Sequence, residues 1–284
     1  MPVHDPAAVP GGGPHAGNDT MSSMASREGD EPGRDLPLEG RVALVTGATR
    51  GLGLEIVTAV ARAGADVVVA SRRQEACDDV AEVLRRSTGR RAVGRSCHVG
   101  HWDELGCLVE AVYGEFGRLD VLVNNAGMSP RYPSLSTISE DLYDKVFAVN
   151  LKGPFRLGAL AGERMRDAGG GVILNVSSVA AVRPSPESLP YAAAKAGLNA
   201  VTLGLAAAYG PTVRVNAIMA GPFRTDISAA WDEAFLDRVR TYPLERIGEP
   251  REIVGAALFL MTEASAFVTG TVLPVDGGMT ATPV

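Results

Sequence analysis

Val42-Ala43-Leu44-Val45-Thr46-Gly47-Ala48-Thr49-Arg50-Gly51-Leu52-Gly53 decides the fold of this chain. A short apolar, β-prone run breaks on a glycine and passes at once into a stretch of helical period, as at the opening of a βαβ unit. The alternation then repeats to the C-terminus. Strands are expected at 42–46, 66–70, 91–96, 121–124, 171–176, 213–218 and 272–275. Helices are expected at 53–63, 74–87, 102–116, 140–168, 191–209, 228–240 and 251–262, the last opened by Glu249-Pro250. Each strand except the last precedes one helix, and parallel crossovers are right-handed, so these elements predict an α/β fold with a doubly wound, parallel seven-stranded sheet.

Composition bounds the rest. The 284 residues are 46% hydrophobic, enough for one large core, and no charge-free apolar run reaches the roughly 20 residues of a membrane span. Residues 1–37 are rich in Pro, Gly, Ser and acids and read as a disordered tail, leaving one domain over 38–284. Seven acids stand against two arginines in the first forty residues, five of the chain's six net negative charges. The remainder is nearly neutral, which argues against a nucleic-acid surface. The tail has neither the apolar core of a secretory signal nor the basic bias of a transit peptide. Cys77, Cys97 and Cys107 are odd in number and lack metal-type spacing, so they read as reduced thiols of a cytoplasmic protein that binds no metal.

In a sheet of this kind the ligand lies outside the carboxyl ends of the strands, and the chemistry-bearing motifs all fall there. Gly47 permits a tight turn, Gly51 lets backbone approach a pyrophosphate, and Gly53 lets helix and strand pack closely, with phosphates on the helix N-terminus. This is a dinucleotide turn of Rossmann type with spacing G-x3-G-x-G. The second strand ends in Ser71-Arg72-Arg73, where an NAD site usually offers a carboxylate to the ribose. Ser71 cannot repel a phosphate, and Arg72 with Arg50 can make charge-assisted bonds to a 2′-phosphate, worth about 1.5–3 kcal/mol each. NADP(H) is therefore expected over NAD(H).

Tyr191-Ala-Ala-Ala-Lys195 sets a phenol and an ammonium on one helical face, thirteen residues after Ser178. The cation is expected to lower the phenol's pKa toward the working range and so equip it to pass a proton to or from an alcohol or carbonyl oxygen. Only three lysines occur beside 24 arginines, so a lysine here stands out: Arg cannot adjust its protonation.

The pattern resembles the short-chain dehydrogenase/reductase family, through TGATRGLG at 46–53, NNAG at 124–127, Asn150 in VNLKG, NVSS at 175–178, YAAAK at 191–195 and VDGG at 275–278. The resemblance covers nearly everything after residue 38. It implies that Ser178 bonds the substrate oxygen, Tyr191 is the acid/base, Lys195 holds the nicotinamide ribose and Asn150 supports a water leading from Lys195. It also implies a cofactor cleft of Gly47, Thr49, Arg50, Gly51, Leu52, Gly53, Ser71, Arg72, Arg73, His98, Val99, Asn125, Ala126, Gly127, Tyr191, Lys195, Gly221, Pro222 and Thr225. Two departures stand out. His98-Val99 replaces the family's frequent Asp-Val, and Ala220-Gly221-Pro222 replaces its usual Pro-Gly.

Segments 128–134, 180–190 and 223–240 are expected to wall the substrate, through Met128, Ser178, Arg183, Phe223 and Trp231, with 223–240 as a lid. The function read from these features is reversible alcohol–ketone oxidoreduction on a small molecule, with a sugar, polyol or small ketone as the expected substrate. A 3-oxoacyl-thioester reductase ranks lower, because a nearly neutral body offers no basic landing for an acidic carrier. A non-catalytic NADP(H)-sensing regulator is the reading from another class, though it has no use for Ser178, Tyr191 and Lys195 together. A serine hydrolase is excluded, since no histidine follows residue 101. The family's habit implies a homotetramer or homodimer through 140–168 and 191–209.

Overall fold

In the computed structural model, which describes residues 36–225, 228, 231 and 233–282, the apolar runs become parallel strands. These are β1 (Val42–Thr46), β2 (Asp66–Ser71), β3 (Ala92–Ser96), β4 (Val121–Asn124), β5 (Gly171–Ser178), β6 (Val213–Ala220) and β7 (Val272–Val275). One sheet holds all seven in the order β3-β2-β1-β4-β5-β6-β7. The chain steps outward from β1 to β3, then returns past β1 to β4, and that reversal opens a crevice at the carboxyl ends of β1 and β4.

Side chains alternate across each strand, so the sheet divides two cores. Ala43, Val45, Val67, Val69, Val121 and Val123 face one layer. Val42, Leu44, Val68, Leu122, Ile173 and Val215 face the other. The helices that cover them are α1 (Gly51–Arg62), α2 (Gln74–Thr88), α3 (Trp102–Phe116), α4 (Glu140–Phe147), α5 (Gly153–Asp167), α6 (Leu189–Tyr209), α7 (Glu233–Val239) and α8 (Val254–Met261).

Residues 1–35 of the expected tail lie outside the described residues. Leu36–Val284 form one compact unit. It starts slightly before the expected boundary, because the Leu38 N–H donates to the Ala63 carbonyl at 2.9 Å and its side chain is buried against α1.

Several expected elements differ in extent. The single helix at 140–168 is two helices joined by a π-helical turn, Ala148–Lys152. Asn150 causes this locally: its Nδ2 donates to the Val146 carbonyl at 2.9 Å and to the Met128 carbonyl at 2.8 Å, drawing the helix toward the chain after β4. Gly153 ends the turn where only a glycine fits, since a Cβ there would lie 2.2 Å from the Val99 carbonyl oxygen. The helix expected at 228–240 is described only as α7, and that at 251–262 begins with a 3-10 turn, Pro250–Ile253, set by a capping box of Glu249 and Glu252. Strand β5 runs two residues beyond its expected end, so Ser177 and Ser178 pair with Met219 and Ala220 of β6.

Candidate active site

The glycine turn sits at the head of the crevice. Gly47 and Gly51 have φ of 64° and 55°, in the left-handed region. A Cβ on Gly53 would lie 2.3 Å from both the Asn125 amide nitrogen and the Gly47 carbonyl oxygen, so helix α1 starts hard against the turn. The Asn125 side chain donates to the Thr46 and Gly47 carbonyls at 2.9 and 3.2 Å, and the Thr46 hydroxyl accepts from the N–H groups of Asn125 and Ala126. The end of β4 is thereby bolted to the turn after β1. Thr49 donates to the Ser71 hydroxyl at 3.1 Å, which ties the turn to the end of β2. Thr225 lies over Gly51, its Cγ2 3.4 Å from where a Cβ would stand.

Arg50, Arg72 and Arg73 are exposed at this end, and half-buried Leu52 packs against the core under α1. His98 follows β3 beside them. Its Nδ1 accepts from the Gly100 N–H at 3.2 Å, so the neutral ring carries its proton on Nε2. Burial, then His101 and Arg72, push the His98 pKa below the ordinary histidine range. The ring stacks on His101 at 4.2 Å between centroids, and Glu104 accepts from the His98 N–H at 2.7 Å while bonding the His101 ring at 2.6 Å. Val99 is buried beside this cluster.

The catalytic candidates meet where β5 ends and α6 begins. Strand alternation separates the two serines: Ser177 is buried and donates to the Lys195 carbonyl at 3.4 Å, whereas Ser178 is half-buried, accepts from the Ala180 N–H at 3.2 Å and lies close enough to the Tyr191 phenol for its hydroxyl to lower the phenol's pKa. Tyr191 is the third residue of α6. Lys195, only 3% exposed, donates from Nζ to the Val176 carbonyl at 2.7 Å and stands 5.7 Å from the centroid of the Tyr191 ring. Burial holds its ammonium down to about 8.

The expected fall of the Tyr191 pKa is overturned. Burial pushes the phenol above its usual range, and the bond with Ser178 only partly offsets this. Lys195 spends a proton on the Val176 carbonyl rather than on the phenol oxygen, so burial dominates the phenol.

Asn150 is fully buried, and its Oδ1 accepts from the Met128 N–H at 3.2 Å. With its amide nitrogen on Met128 and Val146, the side chain braces the segment after β4. Gly127 separates it from Lys195, since a Cβ there would lie 3.0 Å from Asn150 Oδ1 and 3.8 Å from Lys195 Nζ. At the far wall, Gly221 donates to the Val275 carbonyl at 2.9 Å and packs on Asp276, while buried Pro222 accepts from the Gly248 N–H.

Two expected wall residues are engaged elsewhere. Phe223 is buried in the core, packed against Gly248. Arg183 donates to the backbone carbonyls of Thr280 and Thr282 and fastens the C-terminal turn to the loop after β5. Of the lid, Trp231 is half-buried with its ring 4.7 Å from that of Phe235, and residues 226, 227, 229, 230 and 232 lie outside the described residues.

Sequence reading passed over a polar ladder beneath the site. Asn124 donates to Asn175 at 2.9 Å, Asn175 to the Thr202 hydroxyl at 2.9 Å, and Thr202 to the Leu198 carbonyl at 2.8 Å, linking β4, β5 and α6 through buried groups. The available signal was an asparagine closing each of two apolar strand runs, where a buried amide must find partners.

A family model described as enoyl-(acyl carrier protein) reductase matches residues 47–280. D-threitol dehydrogenase of Mycolicibacterium smegmatis is 37% identical over 249 residues, spanning 87% of this chain and 95% of that protein. Gluconate 5-dehydrogenase from Burkholderia cenocepacia, solved with NADP and tartrate, shares the fold with a TM-score of 0.83 at 34% identity, over 88% of this chain and 98% of that one. A 7α-hydroxysteroid dehydrogenase complexed with NADH and 7-oxo glycochenodeoxycholic acid gives a TM-score of 0.81 at 32% identity, over 86% and 96%. Among the described residues no helix is long and apolar enough to cross a membrane. Likeness of this extent in both sequence and fold shows that the chain belongs to the short-chain dehydrogenase/reductase family of oxidoreductases.

Proposed function

We propose that this protein interconverts a secondary alcohol and a ketone with NADP(H), using Tyr191 as the proton-transferring group. The observation that carries this reading is the meeting of Ser178, Tyr191 and Lys195 at the crevice that the glycine turn heads. The residues fit a dinucleotide: the glycines keep Cβ atoms off the turn where phosphates approach, and buried Lys195 spends one of its three N–H donors on Val176, leaving two for ribose hydroxyls. The nicotinamide, when bound, supplies or accepts the hydride.

The chain's own part is to hold the substrate oxygen and move its proton. Ser178 and Tyr191 both donate toward one oxygen, stabilising the negative charge that develops there. Because the phenol's pKa is raised, Tyr191 holds its proton at neutral pH and is ready to give it to a ketone oxygen. Reduction is the direction this favours near neutrality, and oxidation of the alcohol should need alkaline conditions.

Arg50, Arg72 and the absence of an acid at Ser71 support NADP(H) as the preferred cofactor. The similar proteins named above act on a polyol, a sugar acid and a steroid, which supports a small hydroxylated or ketonic substrate for this chain. A homotetramer or homodimer is supported by the apolar groove of Phe147, Leu151, Phe155 and Val201 between α4, α5 and α6. A cytoplasmic location is supported by the reading of the three thiols as reduced; all three are free.

The test is NADPH consumption across a library of ketones and keto-sugars, repeated with NADH. Tyr191→Phe should bind NADPH normally and lose turnover by about 10²–10⁴-fold. Arg72→Ala should erode the preference for NADPH. Equal affinity for both cofactors refutes the cofactor assignment, and cofactor binding without turnover on any substrate favours a nucleotide sensor.

A further inference from the structure

Ser178 and Tyr191 must stand side by side, yet the segment between them holds only two short 3-10 turns, Val179–Ala181 and Pro186–Ser188. Helix α6 follows at Leu189 and takes no capping bond from the side chain of Ser188. The first N–H groups of a helix have no partners within it, so its start must be met from outside.

One partner comes from a distant part of the chain. The Leu189 N–H donates to the Tyr132 hydroxyl at 2.8 Å across 57 residues, and that hydroxyl donates in turn to the Pro186 carbonyl at 2.5 Å. Tyr132 lies on the segment after β4 and borders a small cavity with Pro190 and Tyr191. Its oxygen thus joins the crevice segment, the loop from Ser178 and the first turn of α6 at one point. Arg183 holds the same loop at its other end through Thr280 and Thr282.

We propose that Tyr132 is a positioning residue that sets Tyr191 against Ser178 by capping the helix on which Tyr191 sits. This rests on the role given to Tyr191 under the proposed function. The Tyr132 hydroxyl spends its proton on Pro186, so it is no donor to substrate. It acts by fixing where the third residue of α6 stands. A misplacement of about 1 Å at a reacting group can cost ~10²-fold in rate, and loss of one anchor among several should cost a fraction of that.

Tyr132→Phe removes the hydroxyl alone. In the full-length protein, kcat for ketone reduction should fall about tenfold, with the Kd for NADPH within about twofold of wild type. A weakened Ser178–Tyr191 bond also lets the phenol's pKa rise, so the alkaline rise in alcohol oxidation should move to higher pH. Hydrogen exchange read by mass spectrometry on the peptide spanning 186–195 should be faster in the variant. Tyr113→Phe, which removes a buried hydroxyl without a partner among the described residues on distant α3, should change neither rate nor exchange. An unchanged kcat and pH profile, or unchanged exchange at 186–195, overturns the proposal. The exchange measurement needs no substrate, so a wild-type protein inactive on every ketone sinks the proposed function while Tyr132's anchoring role is still read.

Discussion

Lys195→Met should make the protein more stable and inactive at once. The ammonium is 3% exposed and held down to about 8 from 10.5, so keeping it charged in the fold costs about 3 kcal/mol at pH 7. Met removes that cost while filling nearly the same volume, but it forfeits the bond to Val176, a loss of about 1–2 kcal/mol. The net gain is about 1–2 kcal/mol at pH 7, or a few degrees in Tm. The sign of its pH dependence follows from linkage. Below pH 8 both folded and unfolded lysine are charged and the cost is fully present. Between 8 and 10.5 the folded group sheds its proton first, so wild type recovers stability and the variant's advantage shrinks and then reverses, leaving a deficit of about the lost Val176 bond by pH 10.5. Urea unfolding of both proteins without cofactor at pH 7, 9 and 10.5 measures this directly. A variant less stable than wild type at pH 7, or a difference that does not change with pH, would refute the reasoning.

Three further outcomes follow from the same geometry. Gly53→Ala places a Cβ 2.3 Å from Asn125 and Gly47, and should cost about 1–3 kcal/mol in urea unfolding and weaken NADPH binding, because the turn must move; unchanged binding contradicts it. Stability should fall as pH drops below 6.5 through the depressed pKa of His98, since protonating Nδ1 breaks its bond with the Gly100 N–H; His98→Asn keeps an acceptor and should show a shallower fall between pH 7 and 5. Arg183→Ala should release the turn at 279–281, making the C-terminus open to carboxypeptidase while the Kd for NADPH stays within about twofold; a C-terminus as resistant as wild type's would remove Arg183 from this role.

The sheet was legible because its strands are buried on both faces: Val42–Thr46 and Val121–Asn124 read as unbroken apolar runs and appear with the expected bounds. The glycine turn was legible because only Gly supplies a positive φ there and tolerates the approach of Asn125. The π turn in 140–168 was not, because helical period carries through Ala148–Lys152 and its cause is a bond from Asn150 to Met128, 22 residues away. Phe223 and Arg183 have partners that were hidden for the same reason. An aromatic and a cation in a loop look available until Gly248 and the Thr280 and Thr282 carbonyls are seen to occupy them.

The Tyr191–Lys195 pair shows where one-dimensional reasoning stops. Spacing of four residues correctly places both side chains on one face of α6, with the ammonium 5.7 Å from the ring. It says nothing about water. Desolvation acts in opposite directions on the two groups, raising the phenol and lowering the ammonium, so burial reverses their order and drives the two apart. The free protein therefore keeps a neutral phenol beside a lysine that is still charged at pH 7 but close to release. A negative charge developing on a substrate oxygen would favour that lysine's charged form and draw on the phenol's proton, so the two groups would gain most while a carbonyl carbon is being reduced. A site built to abstract a proton from an alcohol at neutral pH would need the phenol shifted the other way. Under the proposed function, desolvation more than helical spacing is what supports ketone reduction near pH 7.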